Sequence, residues 1–223
     1  MTEYETRLRN AMRELEQHPD VQIYFIDAQE GSEELGNPES ILREVGDALH
    51  VDLPESMGAC LMRYTSLACH WRIEREDFKI TGEFNLHHLL KTAERPPPAL
   101  DWDNTAREQD LYRQFRVMDD FPGGGTASYV ALRISPELPA PQVWYHNMRR
   151  GAFQMDLDYC AYIDMLPITK GVGGWQYLFS DVSFEGSGFR NFGKRLKRML
   201  EVFPEFFPSY DYSDLRARLE ARL

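Results

Sequence analysis

Three short β-prone runs follow one another between Ala127 and Met155, with no helical stretch among them. They are 127–134, 142–147 and 152–155, and Arg149-Arg150-Gly151 forms a tight-turn sequence between the last two. Short connections of this kind give a meander, the arrangement of an antiparallel sheet. Helical patterns lie before and after it. A chain ordered as helices, then a meander, then helices belongs to the α+β class rather than to alternating βαβ units. The expected architecture is a central, mainly antiparallel sheet flanked by helices, in a single domain over residues 1–223.

The flanking elements carry local signals. Thr2 and Glu5 fit a capping box, and Tyr4, Leu8, Met12 and Leu15 recur at helical spacing up to His18-Pro19, where proline disfavours further helix. Residues 21–26 read as a short strand and the acidic segment 27–37 as a loop. Asn37-Pro38 is a helix start, with Ile41, Leu42, Val45, Ala48 and Leu49 as its apolar face. Leu53-Pro54 predicts another helix through about Tyr64. Residues 67–73 read as a strand, and 78–80 and 83–86 as further strands or strand ends. A helix over 105–115 leads to a strand over 116–119 and a turn at Pro122-Gly123-Gly124-Gly125. Residues 157–166 and 189–203 predict helices, as does the stretch from Ser213 or Asp214 to Leu223. Residues 93–104 contain Pro96-Pro97-Pro98 and read as a surface loop or insertion within the domain.

Several function classes are excluded at this stage. No run of about 18 apolar residues exists, so no transmembrane helix is expected, and MTEYETRLRN lacks the apolar core of a secretory signal. Cys60, Cys69 and Cys160 are too few and too scattered for a disulfide framework or a cysteine-type zinc site, which predicts a reduced, cytoplasmic protein. Lys and Arg number 25 against 36 Asp and Glu, for a net charge of -11. The excess is concentrated near the start, where residues 1–60 carry 14 acidic and 4 basic side chains. Such a surface repels nucleic acid. It favours fast encounter with a basic protein, although a solvated acidic face also serves solubility alone.

No enzyme signature emerges. Gly123-Gly124-Gly125-Thr126 lacks the Lys-Ser/Thr ending of a phosphate loop, and Gly171-Val172-Gly173-Gly174 follows a helix, where glycine supplies a C-cap. His87-His88, even with Glu83 four residues earlier, makes a weak zinc site. Cys69 and His70 are neighbours on a strand and face opposite sides. Asp156 and Asp158 precede a helix, where aspartate stabilises the N-terminus. The basic helix bearing Arg190, Lys194, Arg195, Lys197 and Arg198 has the makings of a nucleic-acid or anionic-membrane contact, but the net charge of -11 favours an amphipathic helix packed on the core, its charges solvated or paired with acidic neighbours. No cofactor or metal is implied. An enzyme would need a dispersed site, for which His70, Glu83, His87 and Asp158 are the first residues to consider.

The segment 41–64 resembles the SUKH superfamily, the broad group around the yeast Smi and Knr cell-wall regulators. That family shows a helix, a Leu-Gly-x-x-Leu-Pro stretch, and a helix ending in Tyr-Asn-Gly. Here Leu49-His50-Val51-Asp52-Leu53-Pro54 matches with His50 in place of Gly, and Thr65-Ser66 replaces Asn-Gly after Tyr64. Trp71, the run Gly82-Glu83-Phe84-Asn85-Leu86 and the run 157–163 look like its strand and C-terminal helix elements. Many bacterial members of that superfamily look like immunity proteins, which bind a toxin stoichiometrically and have no catalytic residues. The resemblance therefore implies a non-enzymatic protein-binding domain facing a basic partner such as a toxin. A regulatory scaffold binding another cellular protein is the neighbouring alternative. The acidic candidates for contact are Glu30, Glu33, Glu34, Glu39, Asp52 and Glu55; the aromatic ones are Trp71 and Trp102. For Trp71, on a strand, burial in the core is the competing role.

Overall fold

Each strand of the sheet pairs antiparallel with the next one in the chain, in the order β1 to β7. The strands are β1 (Val21–Glu30), β2 (Tyr64–Glu74), β3 (Lys79–His87), β4 (Phe115–Asp120), β5 (Tyr129–Arg133), β6 (Gln142–Asn147) and β7 (Gly151–Gln154). The helices are α1 (Glu3–Gln17), α2 (Pro38–Leu49), α3 (Leu89–Glu94), α4 (Ala106–Arg113), α5 (Tyr159–Thr169), α6 (Arg190–Phe206) and α7 (Ser213–Glu220). These come from a computed structural model, which describes residues 2–99, 104–121, 123 and 127–223. The α+β class and the antiparallel sheet are as expected. Parts of the 93–104 segment and of the glycine turn after Phe121 lie outside the described residues.

Local signals placed most helix starts. Thr2 and Glu5 form a reciprocal capping box on α1, Thr105 and Glu108 form another on α4, and Asn37 accepts from Ser40 N at 3.2 Å to cap α2. Three expectations need correction. The strand expected at 21–26 runs on to Glu30, because β2 supplies partners for residues 27–30 that a loop reading could not anticipate. The helix expected from Leu53 to Tyr64 is only a 3-10 turn, Glu55–Cys60. Tyr64 instead opens β2 opposite Glu30, so ladder pairing claims the end of that segment. The separate strand fragments around Thr81-Gly82 join into one strand, β3, paired to β2 along its whole length.

The main core lies on one side of the sheet. Leu67, Cys69, Trp71 and Ile73 of β2 and Ile80, Phe84 and Leu86 of β3 alternate into it. They meet Leu8, Met12 and Leu15 of α1, Ile163 and Leu166 of α5, and Leu196, Met199 and Phe203 of α6. A smaller cluster sits on the other side, where Tyr112 of α4 covers Phe115 and Ala131. Burial pushes the Cys69 thiol up to about 12, as expected of a core cysteine rather than a nucleophile.

The cysteine expectation is overturned for one pair. Cys60 and Cys160 form a disulfide between the 55–60 turn and α5, with Cα atoms 5.5 Å apart. They are 100 positions apart in the chain, so only the packing of α5 against that turn makes them neighbours. No helix among the described residues is long and apolar enough to cross a membrane.

Candidate functional site

Three of the six acidic candidates, Glu39, Asp52 and Glu55, are brought together by the end of α2. His50 closes that helix in the left-handed conformation, with φ 56°, and Val51 N donates back to Gly46 O at 3.0 Å. The chain crosses so closely that a Cβ at Gly46 would sit 2.7 Å from Val51 O. Residues 51–55 are thereby folded back along α2. A groove of about 580 Å³ results, and Glu39, Asp47, Asp52 and Glu55 line it together with Arg43 and His50. All four carboxylates are exposed.

Elsewhere Asp20 pairs with Arg75, Asp77 with Arg198, Asp120 with Arg95, Asp156 with Arg218 and Asp164 with Arg7. Glu39, Asp47, Asp52 and Glu55 join no ion pair among the described residues, Arg43 notwithstanding. Four carboxylates against the single Arg43 in one groove give a negative local potential that attracts a cationic surface.

The other contact candidates divide. Glu30 is exposed at the end of β1 but does not line the groove. Glu33 and Glu34 lie on the 3-10 turn Glu33–Gly36 beside α2. Trp102 lies outside the described residues. Trp71 is not available to a partner. Its ring is fully buried and its indole N–H donates to Lys170 O at 2.7 Å. Among the described residues the exposed aromatic side chains are Tyr24 and Phe25. A register shift between Ile23 and Phe25 sets them beside each other at the edge of the sheet. Asp47 and this pair were missed by sequence reasoning. Asp47 carried a readable signal, lying on α2 eight residues after Glu39, whereas the bulge has no local signature.

The residues considered for a dispersed enzyme site only partly converge. His70 and Glu83 are direct partners in the β2–β3 register, and His87 follows on the same face of β3. Tyr24 covers His70, with ring centroids 4.9 Å apart. His87 is engaged by Asp120 at 3.1 Å, and Asp120 also accepts from Asn85 at 2.7 Å and Arg95 at 2.9 Å. These partners hold the Asp120 carboxyl below its usual range against the opposing effect of burial. Asp158 belongs elsewhere: it caps α5 by accepting from Ala161 N at 2.8 Å. His88 is buried, caps α3 by accepting from Leu90 N at 3.1 Å, and burial lowers its pKa. Among the described residues no group of three or more His, Cys, Asp or Glu could hold a metal ion.

Beneath this face Asp119 is fully buried. It accepts from Tyr162 Oη at 2.5 Å and from Asn85 N at 2.7 Å. Burial nevertheless pushes its carboxyl up to about 8. Tyr162 and Asn85 belong to α5 and β3, so this bond set ties sheet to helix.

Compared with protein-family models, with curated proteins and with solved structures, the chain matches none.

Proposed function

We propose that the protein is a non-enzymatic protein-binding domain of the immunity type, which neutralises a basic toxin by one-to-one binding. The observation that carries this reading is the groove of Glu39, Asp47, Asp52 and Glu55, whose carboxylates have no cationic partners of their own. The four carboxylates share one groove, whereas other acids outside any ion pair among the described residues, such as Glu3, Glu76 and Glu137, are spread along the chain. A basic partner entering the groove gains charge-assisted contacts and a steered approach. The immunity role itself rests on the resemblance of the 41–64 segment.

The test is capture of partners from the protein's own cells at low and high salt, followed by expression of each partner alone. The expected result is one basic protein, toxic by itself and harmless when co-expressed, whose association slows as salt rises. The quadruple variant E39K/D47K/D52K/E55K should neither bind nor protect. A partner held equally well by that variant, or an association rate indifferent to salt, overturns the proposal.

A further inference from the structure

Strands β3 and β4 pair at one position, Leu86 with Asp119, and splay apart beyond it. The segment after α5 takes the vacated edge of β3: Glu83 N donates to Gly171 O at 2.9 Å and Gly173 N to Thr81 O at 3.2 Å. Gly171 and Gly174 have φ of 70° and 90°, a backbone course that other residues rarely follow. Where the strands part, a cavity of about 310 Å³ opens, with walls from β3, from the β4–β6 side of the sheet, from the glycine turn and from α6.

Its walls carry three kinds of group. Gln176 is 2% exposed, and its amide oxygen has no hydrogen-bond partner. A buried acceptor left without a donor is costly and is retained where something else supplies the donor. Glu83 adds a carboxylate to the same cavity; its Oε1 accepts from Gly123 N, and its charge remains to attract a cation. Arg195 supplies the opposite charge. It donates to Gly173 O at 3.2 Å, stands in no ion pair among the described residues, and keeps further N–H donors for a ligand. Phe121 and Phe192 give the wall its apolar part.

We infer that this cavity binds a free α-amino acid. The ammonium group donates to the Gln176 amide oxygen and the Glu83 carboxylate, the carboxylate is held by Arg195, and the side chain lies against Phe121 and Phe192. The volume suits a small ligand and excludes a dinucleotide. The site is separate from the acidic groove, so it stands or falls independently of the toxin-binding reading.

The test is isothermal titration of the intact protein with each of the twenty L-amino acids, with thermal unfolding as a second readout. At least one should bind one-to-one and raise the melting temperature at millimolar concentration. The corresponding decarboxylated amine and the corresponding deaminated acid should each bind at least tenfold more weakly. Q176L and R195Q should each lose at least tenfold in affinity. Arg195 is exposed, so R195Q keeps the test valid if Q176L fails to fold. Absence of binding by all twenty, equal binding of the amine or of the acid alone, or undiminished binding by R195Q overturns the inference.

Discussion

Lys170 Nζ lies 2.5 Å from the Glu14 carboxylate, across 156 positions of sequence. The lysine side chain is fully buried, while Glu14 keeps about a third of its side chain in solvent. Tyr210 Oη accepts from Lys170 at 3.1 Å and donates to Glu14 at 2.9 Å. The ammonium also faces the rings of Phe207 and Tyr210, 4.8 and 4.2 Å from their centroids. One buried cation thus joins α1, the end of α5 and the chain after α6. Burial lowers the Lys170 pKa to about 8, against the pull of Glu14.

Removing the anion should therefore harm the fold more than removing the cation. E14Q leaves the buried ammonium with neutral groups only, an amide oxygen, one hydroxyl and two rings, at a cost of about 3 kcal/mol. K170M replaces the cation with an apolar chain of similar length and leaves Glu14 able to reach water, so the loss should be smaller. Urea unfolding of both variants checks this, and a larger loss in K170M would show that the pair's value lies elsewhere.

The Cys60–Cys160 bond closes a loop of 100 residues. Cross-links over loops of that size stabilise by as much as about 4–5 kcal/mol through the unfolded chain. The oxidised protein should give a Cys60–Cys160 linked peptide on non-reducing digestion. Dithiothreitol or the double variant C60S/C160S should lower the urea midpoint. Cys69 should stay unmodified by iodoacetamide until the protein unfolds, since its thiol is buried.

Asp119 predicts a dependence on pH. Its folded pKa, about 8, lies above the ordinary carboxylate value. The folded state therefore holds a proton that the unfolded state releases between about pH 4 and 8. This contribution to stability is complete below the unfolded pKa and is lost as pH rises through the folded one. Stability should fall by up to about 1.4 kcal/mol per pH unit over that window. D119N should flatten that slope between pH 5 and 8, measured by denaturant unfolding at each pH.

Gly82 should tolerate no side chain. A Cβ there would lie 2.5 Å from the Trp71 indole and 2.6 Å from Lys170 O. Because backbone and a buried ring both stand in the way, G82A should destabilise by about 1–3 kcal/mol. A melting temperature unchanged by G82A would mean that the glycine turn after α5 can move away from β3.

How much of this was legible in the sequence varies by element. The capping box at Thr2 and Glu5, the Asn37-Pro38 start, the Asp158 cap and the strands after residue 126 were readable, because each depends on a few adjacent residues. The segment 53–64 carries a helical pattern that the fold overrides. Met57, Cys60, Leu61 and Tyr64 recur at helical spacing, but Tyr64 pairs with Glu30 and the ladder wins. Trp71 was open to two roles until its indole met a carbonyl from residue 170. In the acidic groove, Glu39, Asp52 and Glu55 were visible as charges, but their common wall depends on the αL turn at His50.

The sequence by itself determined the α+β class, the antiparallel meander, most helix starts and the acidic bias of the first 60 residues. These follow from spacing, capping and composition, which act over a few neighbours. Only the tertiary structure decided the Cys60–Cys160 bond, the Lys170–Glu14 pair, the grouping of the free carboxylates and the cavity where β3 leaves β4. Each joins segments far apart in the chain. Such contacts depend on how whole faces pack and on which partners backbone groups find, and no local pattern encodes either.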